Sequence, residues 1–112
     1  MGSMNFGNQK ENKMSFNKLV RDRIPEIIEN EGRKCNYHIL NEQDYIKELK
    51  IKLNEEVNEF LESDNPEELA DILEVVYALS KVNNCSEEEL NNIRAKKTEK
   101  RGAFEKRIFL EE

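Results

Sequence analysis

The sequence predicts a small all-α protein, because of its size, its composition and the spacing of its apolar residues. Its 112 residues suit a single domain. Charged residues make up 38% and apolar residues 37%, with no Trp and only four Gly, which is unlike a Gly-rich β-barrel or a collagen-like chain. Apolar residues recur at steps of three and four, the period of an amphipathic helix. We therefore expect a helical bundle around one modest core.

The charge balance and the cysteines limit the possible partners and the compartment. A net charge of −6 argues against general binding to nucleic acid or anionic lipid and suits a divalent cation. Cys35 and Cys85 are too few for a disulfide scaffold and indicate a reducing environment. A single His excludes a His-rich zinc site, and no apolar run approaches the roughly 20 residues of a membrane span. The expectation is a cytoplasmic protein without a membrane or nucleic-acid partner.

The first 15 residues are predicted to be a flexible leader or tag. They are polar and aperiodic, they begin with Met1-Gly2-Ser3 as cloned sequences often do, and Met14 is a plausible second start. The folded domain is therefore predicted over residues 16–112.

Four helices are predicted, separated by short breaks with capping residues. Asn41 is expected to cap the second helix. The third and fourth show capping-box patterns, Asn65 with Glu68 and Ser86 with Glu89. The predicted ranges are about 25–31, 42–63, 66–82 and 87–101.

Two pairs of acidic residues carry the candidate chemistry. Glu56 and Glu59 lie along one edge of the apolar face of the second helix, and Glu68 and Asp71 hold the same relation to the third. A loop of about four residues makes the two helices antiparallel neighbours, so the pairs can meet.

Clustered carboxylates would repel one another strongly. At an effective dielectric constant near 20, two charges 5 Å apart cost roughly 3 kcal/mol. A cluster of four would rival the stability of a small domain, typically about 5–15 kcal/mol. Protonation or a bound cation must relieve this repulsion, and all-oxygen ligands favour Mg²⁺ or Mn²⁺ over zinc. The alternative is a solvated acidic face, with Glu68 acting only as a capping residue.

Two acidic motifs and their flanks resemble a known family. EEVNE at 55–59 and EELAD at 67–71 resemble the ExxE…ExxD signature of the MazG-type all-α nucleotide pyrophosphohydrolases, which include phosphoribosyl-ATP pyrophosphohydrolase and dimeric dUTPase. NKLVRDRIPEII at 17–28 and KRGAFEKRIFL at 100–110 are similar to a stand-alone, phosphoribosyl-ATP pyrophosphohydrolase-like branch. The resemblance covers about residues 16–110.

The resemblance implies a four-helix MazG-like bundle that is completed by oligomerisation. It also implies that Glu56, Glu59, Glu68 and Asp71 bind Mg²⁺, while water attacks the α-phosphorus of a nucleoside triphosphate. The products would be a nucleoside monophosphate and pyrophosphate. Only eight residues, 60–67, separate the two acid pairs, fewer than in many relatives, and this leaves the preferred nucleotide open.

Further residues receive candidate roles from the same chemistry. Glu55 is a candidate general base or an acid just outside the metal ligands, although its direction on the helix is closer to solvent. Lys18 and Arg21 are candidates to clamp the substrate phosphates, as are Lys97 and Arg101 near the end of the fourth helix. Cations near a helix C-terminus are also favourable without any ligand.

Three functions remain open from the sequence. The first is a nucleoside triphosphate pyrophosphohydrolase, for which clearance of non-canonical nucleotides is a candidate role. The second is a phosphoribosyl-ATP pyrophosphohydrolase of histidine biosynthesis, and the third is a non-catalytic helical adaptor.

The third helix also predicts self-association. Its apolar residues span a wider arc than the roughly 100° that one packed face requires, so we expect a homodimer or a higher homo-oligomer. The alternative is a monomer whose C-terminal tail folds back over this helix.

Overall fold

The computed structural model describes residues 17–111, and this part of the chain is all-helical, as predicted. Within it there are four helices and no strand. The first helix begins and ends one residue earlier than expected, and the other three match the predicted ranges. The helices are α1 (Ile24–Asn30), α2 (Glu42–Ser63), α3 (Pro66–Val82) and α4 (Glu87–Arg101). The leader predicted at residues 1–15 lies outside the described residues.

The helix starts follow from local capping. At the start of α2, the side chain of Asn41 accepts a hydrogen bond from the Asp44 amide at 2.8 Å. At the start of α4, Ser86 and Glu89 form the complete predicted capping box, with N···O distances of 3.1 and 2.8 Å. These bonds satisfy amide groups that have no partner inside the helix.

The start of α3 corrects one detail of the prediction. Asn65 does cap this helix, since its side chain accepts a hydrogen bond from the Glu67 amide at 3.0 Å. The Asn65 amide, however, donates to Ser63 Oγ at 3.1 Å rather than to Glu68, so the predicted capping box does not form. The carboxyl group of Glu68 is therefore available for other contacts.

The α2–α3 hairpin is the centre of the fold. Only Asp64 and Asn65 connect the two helices, and Asp64 adopts a left-handed backbone conformation with φ +56°, which permits the tight reversal. α2 and α3 make the most extensive helix–helix contact in the described chain. Leu49 of α2, Val75 of α3 and Ile28 of α1 are the buried apolar side chains of the core. This core is small, and its main effect is to hold the facing sides of α2 and α3 together.

The C-terminal part of the chain is far less packed. α4 contacts α3 and buries none of its own residues. Ile93 of α4 is half exposed, and Ile108, Phe109 and Leu110 of the tail are 78–89% exposed. The tail therefore does not fold back over α3, which was the alternative to self-association.

The membrane expectation is consistent with the helices that the structure describes. None of those helices combines the length and the apolar character needed to cross a bilayer.

Candidate metal centre

Five carboxylates meet where α2 faces α3. Glu55, Glu56 and Glu59 form one group along α2, and Glu56 forms a second group with Glu68 and Asp71 across the helix pair. Within each group, one oxygen from every residue lies within 4.8 Å of the others. Glu56 belongs to both groups and joins them. The structure thus brings together the four acids that the sequence predicts as metal ligands.

Glu56 is the most deeply buried carboxylate among the described residues, at 7% exposure. Desolvation raises its pKa, and the charges of Glu59 and Asp71 raise the pKa further, against the opposing effect of the Lys52 ammonium. Glu59 is exposed, yet desolvation and then the charges of Glu55 and Glu68 raise its pKa as well. The acids are therefore held close enough together to oppose one another's ionisation.

Glu68 shows the most direct sign of an incomplete site. Its Oε2 atom is buried and has no hydrogen-bond partner among the described residues. Desolvation raises the pKa of Glu68, and the charges of Asp71 and Glu56 add to this. A buried polar atom without a partner costs about 1–3 kcal/mol, and more when the group is charged. Glu68 Oε2 thus differs from the hydrated oxygens of a solvated acidic face.

Two lysines enclose Glu55. Lys52 Nζ lies 2.9 Å from Glu55 Oε1, and Lys18 Nζ lies 3.2 Å from Glu55 Oε2. Burial would raise the pKa of Glu55, but the hydrogen bonds and charges of Lys52 and Lys18 outweigh it and lower the pKa. Lys52 Nζ also lies 3.4 Å from Glu56 Oε2. Lys52 thus spans the edge of the acid cluster.

Arg21 reaches the cluster from the segment that precedes α1. Its Nη2 atom donates to Asp71 Oδ1 at 2.6 Å. Lys18 and Arg21, which the sequence suggests as phosphate-binding residues, therefore both lie beside the predicted metal ligands.

Within one copy of the chain, Lys97 and Arg101 lie away from the acid cluster. Together with Arg94 they line a groove of about 550 Å³ along α4, whose apolar wall includes Ile93 and Phe104. The ion pairs of the acid cluster come from Lys18, Arg21 and Lys52, not from α4. The structure therefore divides the four predicted phosphate-binding residues between two places.

The acid cluster fits a divalent cation in both geometry and charge. In an octahedral Mg²⁺ site, ligand oxygens lie 2.0–2.1 Å from the ion, so opposite oxygens are roughly 4.2 Å apart. Within each group of three acids the carboxylate oxygens lie within 4.8 Å of one another, which is close to this separation. Among the described residues, the five acids and the three cations paired with them leave two negative charges when all are ionised, and one divalent ion would balance this charge.

Sequence reasoning missed Lys52. It precedes Glu55 and Glu56 by three and four residues, the spacing at which helical side chains pair. That spacing is a weak signal, because such pairs are common on exposed helices. What distinguishes Lys52 is its depth, since its side chain is 16% exposed.

No family model matches the chain, and neither a curated protein nor a solved structure shows significant similarity to it.

Proposed function

We propose that this protein is a Mg²⁺-dependent nucleoside triphosphate pyrophosphohydrolase, with Mn²⁺ as an alternative metal. It would hydrolyse the substrate at the α-phosphorus to a nucleoside monophosphate and pyrophosphate. The observation that carries the proposal is the buried, unpaired Oε2 of Glu68 beside Glu56 and Asp71. The resemblance of the two acidic motifs to the MazG-type enzymes supplies the reaction class.

The ligands would come from both helices of the hairpin. Glu56, Glu59, Glu68 and Asp71 would hold the ion, and Mg²⁺ usually keeps open positions for water and substrate phosphates. When bound, such an ion neutralises phosphate charge and lowers the pKa of a coordinated water. The rigid α2–α3 contact would set the spacing of the ligands.

The basic residues at the edge of the cluster suit the phosphates. Lys18 and Arg21 lie beside the acids, and each is partly exposed. Incoming phosphate oxygens would compete with Glu55 and Asp71 for their donors. An Arg fork can bind phosphate through two parallel hydrogen bonds.

Glu55 is better suited to positioning than to proton transfer. A general base works best with a pKa near the operating pH, whereas two lysines lower the pKa of Glu55. We therefore assign Glu55 to holding Lys18 and Lys52 at the edge of the cluster.

The reaction is tested by identifying its first products. The protein would be incubated with a panel of canonical and modified nucleoside triphosphates and with phosphoribosyl-ATP, with Mg²⁺ or with EDTA. We expect a monophosphate and pyrophosphate in equal amounts, only when the metal is present. A nucleoside diphosphate with orthophosphate as initial products would contradict the proposal.

The same panel separates the remaining alternatives. Preference for modified triphosphates would indicate clearance of the nucleotide pool, and preference for phosphoribosyl-ATP would indicate the histidine-pathway enzyme. A helical adaptor would hydrolyse none of them and would have no need for the buried Oε2 of Glu68 that lacks a partner among the described residues.

We further propose that the protein is a cytoplasmic homodimer or a higher homo-oligomer. Leu69 and Leu73 of α3 are about half exposed, and the apolar tail is almost fully exposed, a pattern typical of partner surfaces. Both cysteines are free thiols, as a reducing compartment would keep them. Light scattering at micromolar concentration should give at least twice 13.2 kDa. A fully active species at the monomer mass would refute the oligomer.

A further inference from the structure

The position of Lys52 differs from that of an ordinary surface lysine. Its side chain is 16% exposed, and its ammonium lies 2.9 Å from Glu55 Oε1 and 3.4 Å from Glu56 Oε2. Glu56 is the residue shared by both carboxylate groups. Lys52 therefore places a positive charge at the point where the two groups join.

The other cations at the cluster are placed differently. Lys18 pairs with Glu55 Oε2, and Arg21 pairs with Asp71. Neither of these described ion pairs involves Glu56. Lys52 alone among the three pairs with the most buried predicted ligand, so it is the cation that a metal ion at Glu56 would meet most directly.

We propose that Lys52 is a built-in counter-ion that stabilises the acid cluster without metal and competes with the metal for Glu56. The competition step rests on the proposed function, which supplies the divalent ion. Two cations attracted by the same carboxylate repel each other at close range, so a metal ion must displace the ammonium or bind more weakly beside it. Lys52 would thereby keep the metal-free protein folded while limiting metal affinity.

The test uses Lys52→Met, which keeps most of the apolar stem of the side chain and removes the charge. Lys50→Met is the matched control, because Lys50 is exposed and lies two residues away, on the opposite side of α2. Lys52→Arg keeps the charge. Melting temperature in EDTA and Mg²⁺ affinity by calorimetry, both without nucleotide, are measured for the full chain.

We expect metal-free Lys52→Met to melt roughly 4–8 °C lower than the parent protein, the shift that a modest loss of stability gives in a small domain. We expect its Mg²⁺ dissociation constant to fall about tenfold or more, because a competing charge has been removed. Lys50→Met and Lys52→Arg should stay close to the parent protein in both measurements. An unchanged melting temperature, or weaker Mg²⁺ binding in Lys52→Met, would overturn the inference.

Two further arms keep the result decisive. If Lys52→Met does not fold in EDTA, recovery of its fold by Mg²⁺ supports the counter-ion. If it folds in neither condition, Lys52→Met with Glu55→Gln removes one negative charge together with the positive one and should restore metal-free folding; failure to do so overturns the inference.

If the parent protein binds neither Mg²⁺ nor Mn²⁺, the proposed function and the competition step fail together, while the melting temperatures still decide whether Lys52 is a counter-ion. If the parent binds and hydrolyses normally but Lys52→Met has unchanged affinity, only the competition step fails.

Discussion

The α2–α3 hairpin and the α4–tail region differ in which side chains they bury. The hairpin buries charged groups, whereas the α4–tail region exposes apolar ones. In the hairpin, Glu56 is largely inaccessible, and an oxygen of Glu68 has no partner in the part of the chain that the structure describes. The α4–tail region instead exposes apolar side chains such as Phe104 and Phe109, which are 97% and 87% exposed. A bound cation would neutralise the buried carboxylates of the hairpin, and a protein surface would cover the exposed apolar side chains of the α4–tail region. The contrast is consistent with the proposed ion at the hairpin and with the proposed partner chain at α4 and the tail.

The largest expected effect concerns hydrolysis. Glu56→Gln keeps the size of the side chain and removes the charge of the residue shared by both carboxylate groups. Loss of groups that merely support a ligand costs 10–100-fold, so loss of the ligand itself should lower kcat/KM for a triphosphate at least about 100-fold. Pyrophosphate release would be measured at saturating Mg²⁺. The matched control is Glu62→Gln, an exposed acid on the same helix, which should keep its activity.

Asp71→Asn tests the α3 side of the same site. It should reduce hydrolysis similarly while circular dichroism stays unchanged. Full activity in either Glu56→Gln or Asp71→Asn at ordinary Mg²⁺ concentrations would show that the hairpin acids do not form a catalytic metal centre.

The second effect is on stability and compares the two regions directly. Leu49 is 3% exposed in the hairpin core, and Leu49→Ala should cost about 2–5 kcal/mol of unfolding free energy. Phe109→Ala in the tail should cost less than about 0.5 kcal/mol at a concentration where the protein is monomeric. Urea denaturation measures both. Similar losses at the two positions would show that the tail is packed in the monomer after all.

The third effect is a pH dependence that metal should remove. The pKa values of Glu56, Glu59 and Glu68 lie above 4.5 in the folded protein, so the folded state keeps protons that the unfolded state has already lost. Their contribution to stability is present below pH 4.5 and is lost as the pH rises through the folded pKa values. Glu55, whose pKa is lowered, acts in the opposite sense, since its contribution is lost as the pH falls.

Because the pKa values of three groups are raised and that of one is lowered, metal-free stability should fall as the pH rises above 4.5. Denaturation in EDTA across this range measures the fall, and Glu56→Gln should make it shallower. Excess Mg²⁺ should reverse the slope, because the metal binds the ionised carboxylates. A metal-free protein that instead becomes more stable as the pH rises would contradict the raised pKa values of Glu56, Glu59 and Glu68.

The sequence predicts the helices well because their signals are local. The caps at Asn41, Asn65 and Ser86 and the breaks between helices need only a few neighbouring residues, and the predicted bounds of α2, α3 and α4 agree with the structure. The meeting of the acid pairs was also predictable, since a short loop forces α2 and α3 to be antiparallel. The predicted bond from Asn65 to Glu68 was wrong because Ser63, at the end of the preceding helix, accepts the same amide hydrogen.

The surroundings of the site depend on packing and were harder to predict. Lys52 lines a small cavity together with Lys18 and Leu19, which precede α1, and helical spacing alone does not reveal this long-range proximity. Lys97 and Arg101 share the basic character of Lys18 and Arg21, but α4 contacts only α3 among the helices, and the two residues line a separate groove. Residue type therefore suggested the phosphate-binding candidates, while the tertiary contacts decided which of them lie beside the acids.

The smallest expected effect tests how independent α4 is of the hairpin. Ser86→Ala removes the capping box at the start of α4, and loss of such a cap costs about 0.5–2 kcal/mol. Because α4 buries none of its own residues, little packing compensates for the lost cap. Amide hydrogen exchange should therefore speed up along α4 more than along α2 and α3. Thr98→Ala on the same helix is the control and should leave exchange unchanged or slower, since Ala favours helix. Equal acceleration in α2 and α4 would show that the two regions unfold as one unit, and the contrast between them would then be one of surface chemistry alone.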